Sequence, residues 1–350
     1  MKGIAESGMV KEAVHIGFED LDPSLSNRIL LFLDTNIWIN LAERKSEAAE
    51  QCAALLAKAV SSGKLLCPLA APLLWELYKQ NYPSALRVAA LMDQLSLSTS
   101  FASSDEIHTA EIRQYLRNIL NDGDGELPVL ELLVPVVSYL SSDSVIEFSD
   151  WWSEENRRKV TDQLRSAKRA VTVTQLIEMR KDSLPQLERP EPPPYAEALR
   201  RRADYARGDR KKAWFVEAYS IFCSTVLPKL NNLRSPSPIA DQIKIVAAGA
   251  QLPLDDFKSR LVPLFERLPS LLVRAEVMTL SGFDTCRKDS MRDFYDMEML
   301  TVPFTYSHAF ASEDRWIRHI VKSPPVIMAD WPTRLLSNMA EVAAFAKSLS

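Results

Sequence analysis

The run Ile29-Leu30-Leu31-Phe32-Leu33, closed by Asp34, constrains this chain more than any other segment. Five consecutive apolar residues show no polar and apolar alternation. The segment therefore reads as a strand buried on both faces, as in a parallel sheet. Helical spacing follows from Ile37 to Val60, then a stop at Ser61-Ser62-Gly63-Lys64 and a second short strand at Leu65-Leu66-Cys67-Pro68. Helices are expected over 71–80, 85–95 and 105–120. Strand, helix, strand, helix in this order predicts an α/β domain built on a parallel sheet. Ligands of such sheets bind beyond the carboxyl ends of the strands, which is where Asp34 stands.

Residues 1–28 are polar and irregular and read as an extension packed on the domain. The turn Asn121-Asp122-Gly123-Asp124-Gly125 ends the first α/β pattern. Beyond it come long helical patterns with few strand candidates, Trp151-Trp152, and the stiff break Pro190-Glu191-Pro192-Pro193-Pro194. The α/β pattern then returns. A helix starting at Asp296 leads to a strand candidate Tyr306–Ala311, a helix Trp316–Val321, a strand Val326-Ile327-Met328 and a final helix Leu335–Leu349. Two late strands are too few for a sheet of their own. The expected organisation is an extension (1–28) and an α/β domain in two halves (29–125 and 276–350), interrupted by a mainly α-helical insertion (126–275).

Only 9 glycines stand among 350 residues, which argues for helix and against Gly-rich phosphate loops. The net charge of −4 predicts no polyanion partner by itself. Its distribution is uneven: residues 157–212 hold 16 Lys/Arg against 8 Asp/Glu. Cys52, Cys67, Cys223 and Cys286 form no metal-ligand spacing and fit a reducing compartment. The N-terminus lacks the plan of a signal peptide, and no apolar run is long enough to span a bilayer. A cytoplasmic protein without a membrane partner is expected.

Four acids carry the chemical signal. Asp34 ends the first strand, Glu76 lies in the helix after the second, Asp296 feeds the next strand and Asp314 follows it. Each has an ordinary explanation as a helix cap, a solvated face or a loop acid. Together they fall on one edge of a parallel sheet. Two carboxylates about 4 Å apart repel by roughly 1 kcal/mol in bulk water and about 4 kcal/mol at an effective dielectric of 20. Such a cluster calls for protonation or cations, and all-oxygen ligation suits Mg²⁺ or Mn²⁺. These ions polarise phosphodiesters and activate water.

These residues resemble the PIN-domain nucleases. The likeness rests on Leu31-Phe32-Leu33-Asp34-Thr35-Asn36, on Glu76 within Pro72-Leu73-Leu74-Trp75-Glu76-Leu77, and on Asp296 followed 18 residues later by Asp314 in Ser312-Glu313-Asp314. It covers about 29–120 and 280–345. The resemblance implies a Rossmann-like parallel sheet of the PIN type whose acidic pocket binds Mg²⁺ or Mn²⁺ and cuts RNA, less often DNA. It assigns Asp34, Glu76, Asp296 and Asp314 as catalytic metal ligands, with Asn36 and Ser312 as supporting polar residues. Asp293, one helical turn earlier, competes with Asp296 for the third position. The insertion sets this chain apart from minimal, toxin-type members. By analogy, its size suggests a stress-response or defence nuclease, and it leaves room for a regulatory protein partner or a homo-oligomer.

Arg200, Arg201, Arg202, Arg207, Arg210, Lys211 and Lys212, interleaved with Tyr205, Trp214 and Phe215, are candidates for gripping nucleic acid through phosphate contacts and stacking. A solvated helix face accounts for them equally. Arg157, Arg158, Lys159, Arg165, Lys168 and Arg169 form a second, weaker candidate. The reading is thus a metal-dependent endonuclease, with an inactive PIN-like binding module as the alternative and a metal-dependent phosphatase as a third class. Asn36 stands where a phosphatase of the haloacid dehalogenase type needs Asp, no P-loop is present, and His15, His108, His308 and His319 lack a nucleophile motif.

Overall fold

The structure, a computed structural model, describes residues 9–14, 18–121, 125–139, 144–149, 152–179, 181, 208–232, 254–283 and 291–349. Down the described chain, β1 (Met9–Val14) precedes β2 (Ile29–Leu33), α1 (Thr35–Ala42), α2 (Glu47–Ser61), β3 (Leu65–Leu66), α3 (Ala71–Leu77), α4 (Tyr82–Ser96), β4 (Thr99–Phe101) and α5 (Ser104–Asn121). Next come β5 (Leu133–Pro135), β6 (Ser144–Ser149), α6 (Glu154–Arg169), α7 (Val173–Met179) and α8 (Arg210–Ile221), which runs through a π turn (Phe222–Val226) into α9 (Leu227–Asn232). The chain closes with α10 (Leu254–Glu266), α11 (Pro269–Gly282), α12 (Met291–Tyr306), β7 (Ala309–Ala311), α13 (Arg315–Lys322), β8 (Arg334–Leu336) and α14 (Met339–Ser348).

The central sheet has four parallel strands in the order β3-β2-β7-β8, so the protein is α/β. The apolar run of the sequence is β2, at its middle. Leu31, Phe32 and Leu33 register against Ala309, Phe310 and Ala311, and Leu30 to Leu33 are fully buried. Burial of each such side chain is worth roughly 1.5–3 kcal/mol. Phe32 stacks on Phe310 with centroids 5.1 Å apart, and Phe304 meets Phe310 edge-on at 5.5 Å. The peptide N–H of Asp34 donates to Ala311 O at 2.9 Å, which carries the β2–β7 ladder one residue past the strand. Beyond β3, Leu69 bridges Ser100 in parallel, so β4 extends this edge before pairing with β5 antiparallel.

Several sequence expectations are corrected. The spacing from Ile37 to Val60 is two helices, because Arg44 takes a left-handed φ of 48° and Ser46 caps α2 by accepting from Ala49 N–H. Residues 1–28 include β1, which pairs with β6 antiparallel. Among its described residues, the region 126–275 contains β5 and β6. Tyr306 ends α12, leaving only Ala309–Ala311 as strand. Val326-Ile327-Met328 is no strand: its three peptide N–H groups donate to the Glu276 carboxylate of α11 at 2.6, 2.8 and 3.1 Å. The fourth strand is Arg334–Leu336, and Asn338 caps α14 just after it.

Candidate functional site

Asp34 leaves β2 at its carboxyl end and starts α1 as its N-cap. Its side chain is 3% exposed. Oδ1 accepts from Thr35 N–H at 2.6 Å and Oδ2 from the Ser312 hydroxyl at 2.7 Å. Burial pushes this carboxyl up to about 6; the bonds from Ser312 and Thr35 pull it down, and the charges of Glu76 and Asp314 push it up again. Ser312 is fully buried beyond β7 and also accepts from Asp314 N–H at 3.0 Å. It thus fixes both acids on adjacent strands. Asp314 caps α13, accepting from Trp316 N–H at 2.7 Å and Ile317 N–H at 3.2 Å. Glu76 lies in the last turn of the short α3.

Capping and convergence therefore coexist: Asp34 and Asp314 cap helices, yet Glu76 and Asp314 stand within electrostatic reach of Asp34. Asp296 does not start its helix. It lies in the second turn of α12, 5% exposed, on a helix that packs against α3, β2 and β7 and runs down into β7. The side chain of Asp293 lies outside the described residues. Asn36 sits half-buried in the first turn of α1. Sequence reasoning missed Asn40, whose side-chain amide donates to Glu313 at 3.0 Å and ties α1 to the Ser312–Asp314 turn. It also missed the buried Thr35 hydroxyl beside Asp34, which has no hydrogen-bond partner.

These donors are all oxygen, the chemistry Mg²⁺ or Mn²⁺ takes, and the orphaned Thr35 hydroxyl leaves a polar atom for a hydrated ion. Among the described residues, no three His, Cys, Asp or Glu side chains gather closely enough to hold a metal ion. Mg²⁺ keeps several waters and uses one or two carboxylates, so the residues fit a hydrated ion better than a closed cage.

A groove of about 300 Å³ opens beside this edge, walled by Pro72, Trp75, Phe101 and Val302, with Ser103 and Glu298 also lining it. Of the basic candidates, Arg200, Arg201, Arg202 and Arg207 lie outside the described residues, as does Tyr205. Arg210, Lys211 and Lys212 are exposed in the first turn of α8, where Asp209 caps the helix. Trp214 is corrected from stacking candidate to core: it is fully buried, edge-on to Phe265 at 5.8 Å. Arg165 and Arg169 on α6 both pair with Asp20 at 3.7 Å. No helix among the described residues is long and apolar enough to cross a membrane.

The fold and edge define an α/β protein with a parallel sheet whose two middle strands lead into the capping acids Asp34 and Asp314. Comparison with protein-family models, curated proteins and solved structures finds no match to this chain.

Proposed function

We propose that this chain is a divalent-metal-dependent endonuclease of the PIN type that hydrolyses phosphodiester bonds in RNA. One observation carries the reading: Asp34 is buried beyond the middle strands of a parallel sheet with the Ser312 hydroxyl on its carboxyl, and burial first, then the charges of Glu76 and Asp314, push it up to about 6. Structural caps need no such convergence, whereas oxygen-ligated cations require it. The order of Asp34, Glu76, Asp296 and Asp314 along the chain adds the resemblance to PIN nucleases.

In this reading Asp34 and Asp314 would hold a hydrated Mg²⁺ or Mn²⁺, with Glu76 and Asp296 addressing its waters. The bound ion would polarise the phosphodiester and make water a better nucleophile at neutral pH. Ser312 ties the Asp34 carboxyl to the backbone N–H of Asp314, and the α1 and α13 N-termini keep both acids oriented. Arg210, Lys211 and Lys212 supply cationic surface for phosphates. They oppose the dipole of their own helix, a placement that favours an anionic partner.

The test is cleavage of labelled single-stranded RNA by the full chain with Mn²⁺ or EDTA. Cutting is expected with Mn²⁺ only. In Asp34→Asn it should fall by more than roughly 100-fold, beyond the ~10–100-fold typical of losing an outer-shell group. Absence of cutting with Mn²⁺, or cutting that survives EDTA, overturns the reading. A second reading, a PIN-like module that binds nucleic acid or a protein partner without cutting, is favoured by a separate observation. Asp34 and Asp314 are already committed as caps, and the described residues form no tight metal-holding group. RNA binding without metal-dependent cutting would select it.

A further inference from the structure

We propose that the groove beside Trp75 seats one unpaired nucleobase of the bound RNA, next to the bond to be cut. This rests on the nuclease reading above and names how that site takes its substrate. Trp75 immediately precedes Glu76 on α3, so the two leave the helix on adjacent faces, the indole lining the groove and the carboxylate within electrostatic reach of Asp34. The residue is 38% exposed, unusual for the largest apolar side chain, while its neighbour Tyr78 is buried. Tyr78 meets the indole edge-on, with centroids 6.3 Å apart and planes at 80°, which fixes the ring without covering it. A ring held in this way is a platform prepared for stacking.

Size and charge select the occupant. A space of about 300 Å³ lies at the lower limit of small-ligand pockets and suits one planar ring system, not a helix or strand. Its walls are mainly apolar. The carboxylate edge repels phosphate unless a cation intervenes, but it does not repel the neutral base. The groove therefore takes the uncharged part of a nucleotide while the acids address the charged part. Glu298 provides a polar atom for the base edge and is itself held in place, accepting from Ser104 Oγ at 2.7 Å and pairing with Arg274 at 3.5 Å.

The experiment measures binding of a fluorescein-labelled eight-nucleotide single-stranded RNA, with Mg²⁺, by full-length Asp34→Asn protein so that the probe stays intact. Adding Trp75→Ala is expected to weaken binding about tenfold, within the range measured for base–aromatic stacking, while Trp75→Phe stays within about threefold. Trp75→Leu keeps the apolar volume without the aromatic face and should behave like Ala. It decides the matter if the Ala variant does not fold. A series of probes with one abasic site each should contain a position at which Trp75→Leu no longer matters. If every Trp75 variant binds as tightly as its parent, or no abasic position abolishes the Trp75 effect, the base seat is wrong. The nuclease reading then stands, provided Mn²⁺-dependent cutting persists. If no RNA is bound or cut at all, the nuclease reading fails and takes this proposal with it.

Discussion

Asp34 serves two ends that pull against each other. As a cap it satisfies the start of α1, and as a buried charge it costs free energy. The folded carboxyl titrates at about 6 against an ordinary 3.8, and a shift of one pH unit is worth about 1.4 kcal/mol. The fold holds this proton more tightly than the unfolded chain does. The cost is therefore absent below the unfolded value, grows as pH rises, and is complete above about 6, where it amounts to roughly 3 kcal/mol. Asn is as good a cap as Asp. In EDTA, Asp34→Asn should accordingly raise the urea-unfolding free energy at pH 7.5 by about 2 kcal/mol, with the gap closing by pH 4. A gap that does not change with pH would refute the burden assigned to Asp34. The same residue shows what a sequence reveals. An apolar run ending in an acid marks Asp34 locally, and a serine two residues before an acid marks Ser312 and Asp314. The Asn40–Glu313 bond joins residues 273 apart and leaves no local pattern to read.

Elements were legible where their period was long and their ends were chemically marked. The helices α4, α5 and α13 fall within a few residues of expectation, because caps such as Asn81 and Asp314 announce them. Strands of two or three residues carry too little period: β4 went unseen, and Val326-Ile327-Met328 imitated a strand whose hydrogen bonds go to Glu276 instead. That carboxylate is buried among the groups it binds, and burial raises its pKa. Between α4 and β4 the chain turns on Leu97 and Ser98, with φ of 53° and 55°. Left-handed backbone costs a non-glycine residue roughly 1–2 kcal/mol, and Leu97 recovers little of it because its side chain is 43% exposed. Glycine at the residue ending a helix removes that cost while adding entropy to the unfolded chain. Leu97→Gly should therefore stabilise the protein by about 0.5–1 kcal/mol in urea unfolding. A loss of stability would show that the leucine side chain contributes more packing than its exposure suggests.

At the scale of the whole molecule, two apolar clusters meet along α5. Ile107 belongs to the cluster around the sheet, Ile112 to the one formed by α8, α10 and α11 with Trp214 and Phe265. Glu111 sits at that seam, 2% exposed, accepting from Ser270 N–H of α11 at 2.8 Å and from the Tyr306 hydroxyl of α12. Burial pushes it up to about 7, against which the bonds from Tyr306 and Ser270 pull down. His108, one turn earlier, is pushed down to about 3, by burial first and then by Arg274 and Lys229. The two act in opposite directions. The Glu111 cost is absent below 4.5 and complete above about 7. The His108 cost appears as pH falls below 6.5 and grows toward its folded value. The wild-type pH profile mixes both, but the difference between wild type and Glu111→Gln isolates the carboxyl. A constant offset is expected, since an amide leaves a buried donor where Glu111 Oε2 has no partner. The slope does not depend on that offset. Relative to wild type, Glu111→Gln should gain about 3 kcal/mol between pH 4.5 and pH 8. A flat difference would place Glu111 in contact with water, and the seam between the clusters would then be wet instead of sealed by a carboxyl that is protonated in part at neutral pH.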